Sequence, residues 1–235
     1  MSKDQTAAQT GIFITFEGGE GVGKSTQILL LKARLEDAGY RVSNLREPGG
    51  TAIGERIRTI LLDPASEGID PIAELLLYEA ARAQLVCERI QPALAAGAVV
   101  LCDRFTDSSL AYQGQARGLG FEAVRRANRI GGKGLVPQRT IVLTLDLKTA
   151  LGRAVKHGAD RLEAQDLDFH VRVREGFERL AAEEPERVRL VASCPDKGQT
   201  AQAVFAELAD LFPAADGRPF VTDEALIRRV KQERG

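Results

Sequence analysis

The sequence Gly11-Ile-Phe-Ile-Thr-Phe-Glu-Gly-Gly-Glu-Gly-Val-Gly-Lys-Ser-Thr-Gln27 contains an apolar run, a glycine-rich turn and the start of a helix-forming run. The apolar run predicts a buried strand, and the residues from Gln27 to Ala38 predict a helix. Between them, the pattern Gly-x-x-x-x-Gly-Lys-Ser matches the P-loop, which holds the phosphates of a nucleotide. Because strand, turn and helix follow one another in the order that this motif requires, we expect an ATP site here.

Each residue type in this turn suits the binding of a triphosphate. Glycines accept positive φ and let backbone N–H groups approach phosphate oxygens, and the start of a helix adds the positive end of its dipole. A lysine supplies a full positive charge, and a serine hydroxyl is placed to bind the Mg²⁺ that accompanies ATP. The residues predicted to bind ATP are Gly18, Gly19, Glu20, Gly21, Val22, Gly23, Lys24, Ser25 and Thr26.

The composition limits the classes of partner. The 235 residues are 44% apolar, and 32 basic side chains are balanced by 33 acidic ones. This balance argues against a nucleic-acid polymer as partner. No apolar run approaches the length of a membrane span, so we expect no membrane partner and a cytoplasmic location. Three widely spaced cysteines predict neither a zinc site nor a disulfide framework.

The rest of the chain alternates predicted strands and helices. Further strands are predicted at 41–45, 98–102, 140–145 and 187–192. This order predicts an α/β, three-layer P-loop NTPase fold with a central five-stranded parallel sheet and helices on both faces. The expected organisation is a disordered extension at 1–10, a kinase domain at 11–212 with a small lid at about 153–166, and a linker with a charged helical extension at 213–235.

A second group of charged residues predicts a second ligand beside ATP. Asp103 and Arg104 follow the apolar strand at 98–102, where α/β sheets bind their ligands. Arg58, Arg82 and Arg104 lie on three different elements, and arginine on rigid elements suits phosphate recognition. A phosphate acceptor is already ionised near neutral pH, so transfer to it requires alignment and charge neutralisation rather than a general base. These features favour a kinase that acts on a phosphorylated substrate.

Five motifs together resemble those of bacterial thymidylate kinases. They are Phe16-Glu-Gly-x-Glu-Gly-x-Gly-Lys-Ser-Thr26, Arg46-Glu-Pro-Gly-Gly-Thr51, Leu77-Tyr-x-Ala-Ala-Arg82, Asp103-Arg-x-Thr-Asp-Ser-Ser-Leu-Ala-Tyr-Gln-Gly114 and Asp160-Arg-Leu-Glu163. The resemblance spans roughly residues 12–212, in the same order. It implies a P-loop nucleoside monophosphate kinase that uses MgATP to convert dTMP to dTDP, and a homodimer.

The resemblance also implies roles for individual residues. Tyr78 would stack on thymine, Arg82 would contact the carbonyl edge of the base, and Tyr112 would lie against the 2′ carbon. Asp103 would organise Mg²⁺ together with Ser25. The full substrate-binding set is Glu17, Glu47, Pro48, Arg58, Tyr78, Arg82, Arg104, Ser108, Ser109, Tyr112 and Gln113. The predicted catalytic set is Lys24, Asp103, Arg104, Arg153 and Arg161.

The family is divided by whether its catalytic arginine lies in the P-loop or in the lid. With Glu20 in the P-loop and Arg153 and Arg161 in the lid, this chain resembles the lid-arginine type. Two alternatives stay open at this point. The acceptor could be another pyrimidine monophosphate, or the chain could be a regulatory ATPase with no acceptor. Among single residues, Tyr78 could pack in the core and Arg58 could be a solvated helix charge. Asp103 and Arg104 could form an internal ion pair at the end of a strand, and the basic residues of the lid could be an exposed charge run.

Overall fold

The computed structural model describes residues 11–154, 161–162 and 164–215. The predicted disordered extension at 1–10 and most of the predicted C-terminal extension lie outside these residues. The strands form one parallel sheet with the order β2-β3-β1-β4-β5. The strands are β1 (Ile12–Glu17), β2 (Val42–Arg46), β3 (Val99–Asp103), β4 (Arg139–Thr144) and β5 (Val188–Ala192).

Helices connect the strands and cover both faces of the sheet. The helices are α1 (Lys24–Asp37), α2 (Ala52–Leu62), α3 (Pro71–Leu85), α4 (Gln91–Ala95), α5 (Thr106–Ser109), α6 (Phe121–Gly131), α7 (Leu147–Ala154), α8 (Leu167–Glu183) and α9 (Lys197–Ala206). Along β1, Ile14 and Phe16 join a core that includes Ile28 of α1, whereas Phe13 faces the opposite core with Leu85. This alternation follows from the two-residue period of a strand and gives the predicted three layers.

The strand order explains where a ligand can bind. β1 lies between β3 and β4, and Phe16 of β1 is in register with Asp103 of β3. The carboxyl ends of parallel strands lie at one edge of the sheet. The turn after β1 and the pair Asp103-Arg104 therefore lie side by side, although they are far apart in the sequence.

One predicted helix is divided in the structure. The sequence predicts a continuous helix from Asp70 to about Ala96, and its start agrees: the Asp70 side chain accepts hydrogen bonds from the N–H groups of Ile72 and Ala73. However, α3 ends at Leu85, and a π-helical turn at Val86–Ile90 precedes α4. Pro92 has no N–H group and its ring clashes with the carbonyl four residues before, which disrupts the regular helical hydrogen bonds here.

The C-terminal boundary also differs from the sequence prediction. The segment Pro213–Ala215, which the sequence assigns to a linker, forms a short 3₁₀ helix. Ala215 is fully buried in the core that packs on α1, and its carbonyl accepts hydrogen bonds from the Arg34 guanidinium, at 2.9 Å from Nη2. These three residues therefore pack with the domain. Within the described ranges, no helix is both long and apolar enough to cross a bilayer.

Candidate active site

A cavity of about 770 Å³ opens at the carboxyl edge of the sheet. This size falls within the usual range of small-molecule sites. One end is the P-loop, which contributes residues 20–26 to the wall. Beyond the P-loop, the wall includes Arg46, Glu47, Pro48, Arg58, Leu62, Tyr78, Asp103, Arg104, Ser108, Ser109, Tyr112, Gln113 and Leu162. The structure thus places most of the predicted ATP and substrate residues around one cavity.

The P-loop has the backbone geometry that an anion site needs. Gly18, Gly21 and Gly23 have φ of 122°, 68° and 101°. A side chain at Gly18 would also meet the carbonyl oxygen of Leu143 at 2.3 Å. α1 begins at Lys24 without a side-chain cap, so its first N–H groups are left for a ligand. Gly18 and Gly19 do not line the large cavity, although both were predicted to bind ATP.

The lysine of the P-loop is held by the loop itself. Lys24 Nζ donates to the carbonyl oxygens of Gly18 at 3.1 Å and Gly19 at 2.7 Å. Burial lowers the pKa of Lys24, and the nearby Arg104 guanidinium acts in the same direction. Both partners of Nζ are neutral carbonyls. A triphosphate in the cavity would therefore offer this cation stronger, charged partners.

Ser25 and Asp103 meet at the floor of the cavity. The Ser25 hydroxyl donates to Asp103 Oδ2 at 3.0 Å, and both residues line the wall. A hydroxyl and a carboxylate are hard oxygen ligands, which Mg²⁺ prefers. Mg²⁺ in nucleotide sites is usually bound by one or two protein oxygens together with phosphate oxygens and water. The donor set therefore fits the predicted Mg²⁺.

Arg104 connects the two ends of the cavity. Its Nη1 donates to the Gly18 carbonyl and to Ser108 Oγ, each at 3.1 Å, and its Nη2 pairs with the Glu20 carboxylate. Its φ of 70° is unusual for a residue with a side chain. Although burial acts to raise the pKa of Glu20, the charges of Arg104 and Lys24 hold it at about 2. Glu20 is therefore an anion that pairs with the Arg104 guanidinium beside the P-loop.

The far end of the cavity is built from several elements. Arg58 of α2 donates to the carbonyl of Pro48 at 3.0 Å, and Tyr78 of α3 lies half-buried in the wall. Burial raises the pKa of Glu47 to about 7, with Arg82 acting in the opposite direction. Glu47 Oε1 is buried and has no hydrogen-bond partner in the described part of the chain. This end therefore combines an aromatic ring, a cation and an unsatisfied carboxylate oxygen.

The family is shown by comparison with known proteins. A family model described as thymidylate kinase matches residues 16–204. The chain belongs to the thymidylate kinase family. It is 48% identical over 201 residues to a protein named thymidylate kinase from Deinococcus radiodurans, and this match covers 85% of this chain and 97% of the relative. It is 48% identical over 208 residues to a protein of the same name from Synechococcus sp. strain JA-3-3Ab, covering 88% and 100%.

A solved structure agrees with this membership. The thymidylate kinase of Ehrlichia chaffeensis has a TM-score of 0.69 to this chain at 31% identity, and the match covers 85% of this chain and 98% of that one. The predictions of the family, of the enzyme class and of the α/β P-loop kinase fold are therefore confirmed.

One residue predicted to bind substrate lies behind the cavity of this thymidylate kinase family member. Glu17 is fully buried and does not line the wall. Its carboxylate accepts hydrogen bonds from the Phe105 N–H at 2.8 Å and from the Ser108 hydroxyl. Burial, together with the charge of Asp107, raises the pKa of Glu17 to about 8. Because Ser108 in turn contacts Arg104, Glu17 supports the site from behind.

Arg82 also differs from its predicted role at the base edge. Its side chain is almost completely buried and is absent from the cavity wall. A guanidinium has five N–H donors, and Arg82 makes five hydrogen bonds within the protein. The acceptors are Glu47, Glu79, Asn128, the Phe105 carbonyl and Ser109. Arg82 therefore fixes the positions of Glu47 and Ser109, which do line the cavity.

The predicted lid is covered only in part. Residues 155–160 and 163, as well as the side chain of Arg153, lie outside the described residues. Arg161 is described and does not line the cavity. It is 3% exposed, its Nη1 lies 2.7 Å from Glu74 Oε2, and its Nε donates to the Leu61 carbonyl at 2.8 Å. In this structure Arg161 contacts α2 and α3 and does not reach the phosphate site.

One further part of the wall carries no motif that predicts it from the sequence. The segment after β5 lies beside the P-loop and contributes Ser193, Cys194, Pro195, Lys197 and Thr200 to the cavity. The Ser193 hydroxyl donates to the Val22 carbonyl at 2.8 Å, which joins this segment to the P-loop. No phosphate-binding motif marks these residues in the sequence. Their position after the last strand of a parallel sheet was the available signal.

Proposed function

We propose that this member of the thymidylate kinase family transfers the γ-phosphoryl group of MgATP to the phosphate of dTMP. The observation that carries the proposal is the position of Arg104, which contacts the P-loop at Gly18 and Glu20 and the opposite wall at Ser108 and Tyr112. A guanidinium at this position would lie between the donor and acceptor phosphates when both substrates are bound. The 770 Å³ cavity supports this proposal because it continues from the P-loop to Tyr78.

The residues of the chain supply alignment and charge. The uncapped N-terminus of α1 and Lys24 would hold the β and γ phosphates, while Arg58 and Arg104 would hold the acceptor phosphate. Ser25 and Asp103 would hold Mg²⁺, which would supply positive charge to neutralise the triphosphate. Because the acceptor oxygen is already ionised near neutral pH, no side chain has to remove a proton from it. Arg153 stays the predicted lid arginine.

The function is tested by measuring ADP formation from MgATP with the full chain. We expect turnover that depends on dTMP and on Mg²⁺, with dUMP, UMP and CMP used less efficiently. ADP release that is equal with and without dTMP would indicate an ATPase and would contradict the proposal. If kcat/KM is higher for another pyrimidine monophosphate than for dTMP, that nucleotide is the preferred acceptor and the proposal of dTMP is wrong.

We also propose that the enzyme is a homodimer that pairs through α2 and α3. These two helices pack against each other, and each exposes a pair of large apolar residues on one side. On α3, Ile72 and Leu76 are four residues apart and are 57% and 59% exposed; on α2, Ile53 and Ile60 are 49% and 48% exposed. Exposed apolar faces of this kind are typical of protein interfaces.

Light scattering coupled to size exclusion tests the dimer. We expect a mass of two chains for the unchanged protein and of one chain for Leu76→Glu. Leu167→Glu is the matched control, because Leu167 is 50% exposed at the start of α8. A single-chain mass for the unchanged protein would reject the dimer.

The state of the cysteines bears on the location of the protein. All three cysteines are free thiols, which supports the proposal that the protein acts in a reducing compartment such as the cytoplasm.

A further inference from the structure

A buried carboxylate fixes the orientation of an amide in the cavity wall. Gln113 lines the cavity on the same wall as Tyr78 and Ser109, and its Nε2 donates to Glu74 Oε1 at 2.7 Å. Glu74 is a fully buried residue of α3 that does not itself reach the cavity. A carboxylate has hydrogen-bond acceptors only, so the amide nitrogen of Gln113 must be the atom that faces it.

The oxygen of the same amide is left for a ligand. Within the described residues, the side-chain hydrogen bond of Gln113 is the one that Nε2 donates to Glu74, and none ends on Oε1. With Nε2 turned towards Glu74, this oxygen is the atom that the amide can present to a molecule beside Tyr78. The wall therefore offers a hydrogen-bond acceptor at this point.

Two guanidinium groups balance the charge of Glu74. Arg161 Nη1 lies 2.7 Å and Arg117 Nη2 lies 3.2 Å from Glu74 Oε2, whereas Gln113 contacts Oε1. Arg117 Nε also donates to Oε1, at 3.4 Å, so Gln113 makes the shorter of the two contacts to that oxygen. A neutral glutamine at position 74 could donate as well as accept, so it would no longer dictate which atom of the Gln113 amide faces the cavity.

We propose that Glu74 is a positioning residue that determines the base selectivity of the enzyme through Gln113. By holding Oε1 towards the cavity, it favours a pyrimidine that carries an N–H at ring position 3, as thymine and uracil do. Cytosine has an acceptor at that ring position and would place two acceptors against each other. The inference rests on the proposed function, because it takes the base of a pyrimidine monophosphate to bind beside Tyr78.

The size of the effect follows from general hydrogen-bond energetics. A site built to pair with a donor rejects an analogue that lacks it, since buried polar groups are then left unpaired. One such pair corresponds to a change of about tenfold or more in relative efficiency. Loss of the fixed amide should therefore reduce discrimination without removing the phosphoryl-transfer machinery.

The test measures kcat and KM for dTMP, with dCMP measured both as a substrate and as a competitive inhibitor of dTMP use. The proteins are the unchanged chain, Glu74→Gln, Gln113→Ala and the double variant. In Glu74→Gln we expect the preference for dTMP over dCMP to fall about tenfold, mainly through the KM for dTMP, while the KM for ATP stays constant. In the Gln113→Ala background, the same change at position 74 should not reduce the preference further.

Two further variants separate positioning from general damage. Arg117→Met removes a charged partner that contacts both oxygens of Glu74, at 3.2 Å and 3.4 Å, but leaves the 2.7 Å hydrogen bond from Gln113 in place, so the preference should be unchanged. Glu74→Asp keeps an acceptor-only carboxylate and should retain most of the preference; it serves as the test if Glu74→Gln does not fold. Thermal midpoints are recorded for every variant.

The outcomes are distinct. Equal losses for dTMP and dCMP in Glu74→Gln and Arg117→Met would overturn the inference, and so would a selectivity loss in Glu74→Gln that is equally large without Gln113. A selectivity loss in a folded Glu74→Asp would also overturn it. Failure of the unchanged chain to use dTMP would instead reject the proposed function.

Discussion

The two ends of the cavity are built in different ways. The P-loop end is one continuous stretch of backbone, in which Gly18, Gly21 and Gly23 set the conformation. The far end is made of side chains from residues 46–48, α2, α3, β3 and residues 106–116, and buried residues hold several of them. Arg82 binds Glu47 and Ser109, and Glu74 binds Gln113. A backbone site depends on glycine conformations, whereas a side-chain site depends on long-range ion pairs. Substitutions at the two ends should therefore reduce activity for different physical reasons.

The largest expected effect is at the P-loop cation. Lys24→Ala removes the positive charge that the P-loop offers to a triphosphate, and we expect kcat with dTMP to fall by about 10²–10³-fold or more. Steady-state ADP formation measures this loss. Lys32→Ala is the control on the same helix, because Lys32 forms an i,i+4 pair with Glu36. Turnover close to that of the unchanged protein in Lys24→Ala would show that the P-loop is not the donor site.

The next largest effect is at the residue that joins the two ends. Arg104→Ala should lower kcat/KM for dTMP by about 10²-fold, because a buried cation with several charge-assisted hydrogen bonds is lost. Steady-state kinetics, with ATP and dTMP varied in turn, measure how the loss is divided between kcat and the KM of each substrate. Arg125→Ala, at a partly exposed ion pair with Glu183, is the control. A loss confined to the KM for ATP would contradict the assignment of Arg104 to the acceptor phosphate.

A smaller effect should separate backbone from side-chain requirements within the P-loop. A methyl group added at Gly19 or at Gly23 would meet no atom of the described residues within 4 Å, but only Gly23 has a positive φ, of 101°. Gly23→Ala therefore costs conformational energy alone, and we expect about tenfold weaker MgATP binding by calorimetry. Gly19→Ala should bind nearly as well as the unchanged protein. Similar MgATP affinities for the two variants would show that MgATP binding does not depend on the positive φ of Gly23.

The smallest effect concerns stability rather than turnover. Burial holds the pKa of Glu17 at about 8, above its ordinary 4.5, so the folded protein keeps a proton that the unfolded chain releases between these pH values. Glu17 therefore destabilises the fold increasingly as pH rises through this window. The thermal midpoint of Glu17→Gln, relative to the unchanged protein, should rise by about 5 °C or more between pH 5 and pH 8. Glu122→Gln, at an exposed pair on α6, is the control; a flat difference for Glu17→Gln would contradict the assigned burial effect.

Much of the fold could be predicted from the sequence because its signals are local. Apolar runs located the strands, Asp70 and Pro71 marked the start of α3, and the glycines with Lys24 and Ser25 marked the phosphate site. The site residues next to Asp103 were also correctly expected near the P-loop, since parallel strands end at one edge.

Side-chain partners could not be predicted in the same way. Arg82 and Arg161 look like ligand-binding arginines in the sequence, yet the structure pairs them with Glu47 and Glu79, and with Glu74, respectively. Glu47 is far from Arg82 along the chain, and Glu74 is far from Arg161, whereas Glu79 lies one helical turn before Arg82. Nothing in the local pattern distinguishes an arginine that binds a ligand from one that neutralises a buried carboxylate.

The sequence by itself determined the phosphate-binding backbone, the succession of strands and helices and the family, because each is encoded in contiguous residues. The tertiary structure alone decided which charged groups face the cavity and which support it from behind. The physical reason is that a buried charge must find a partner in three dimensions, and the choice of that partner depends on how the helices pack across the sheet.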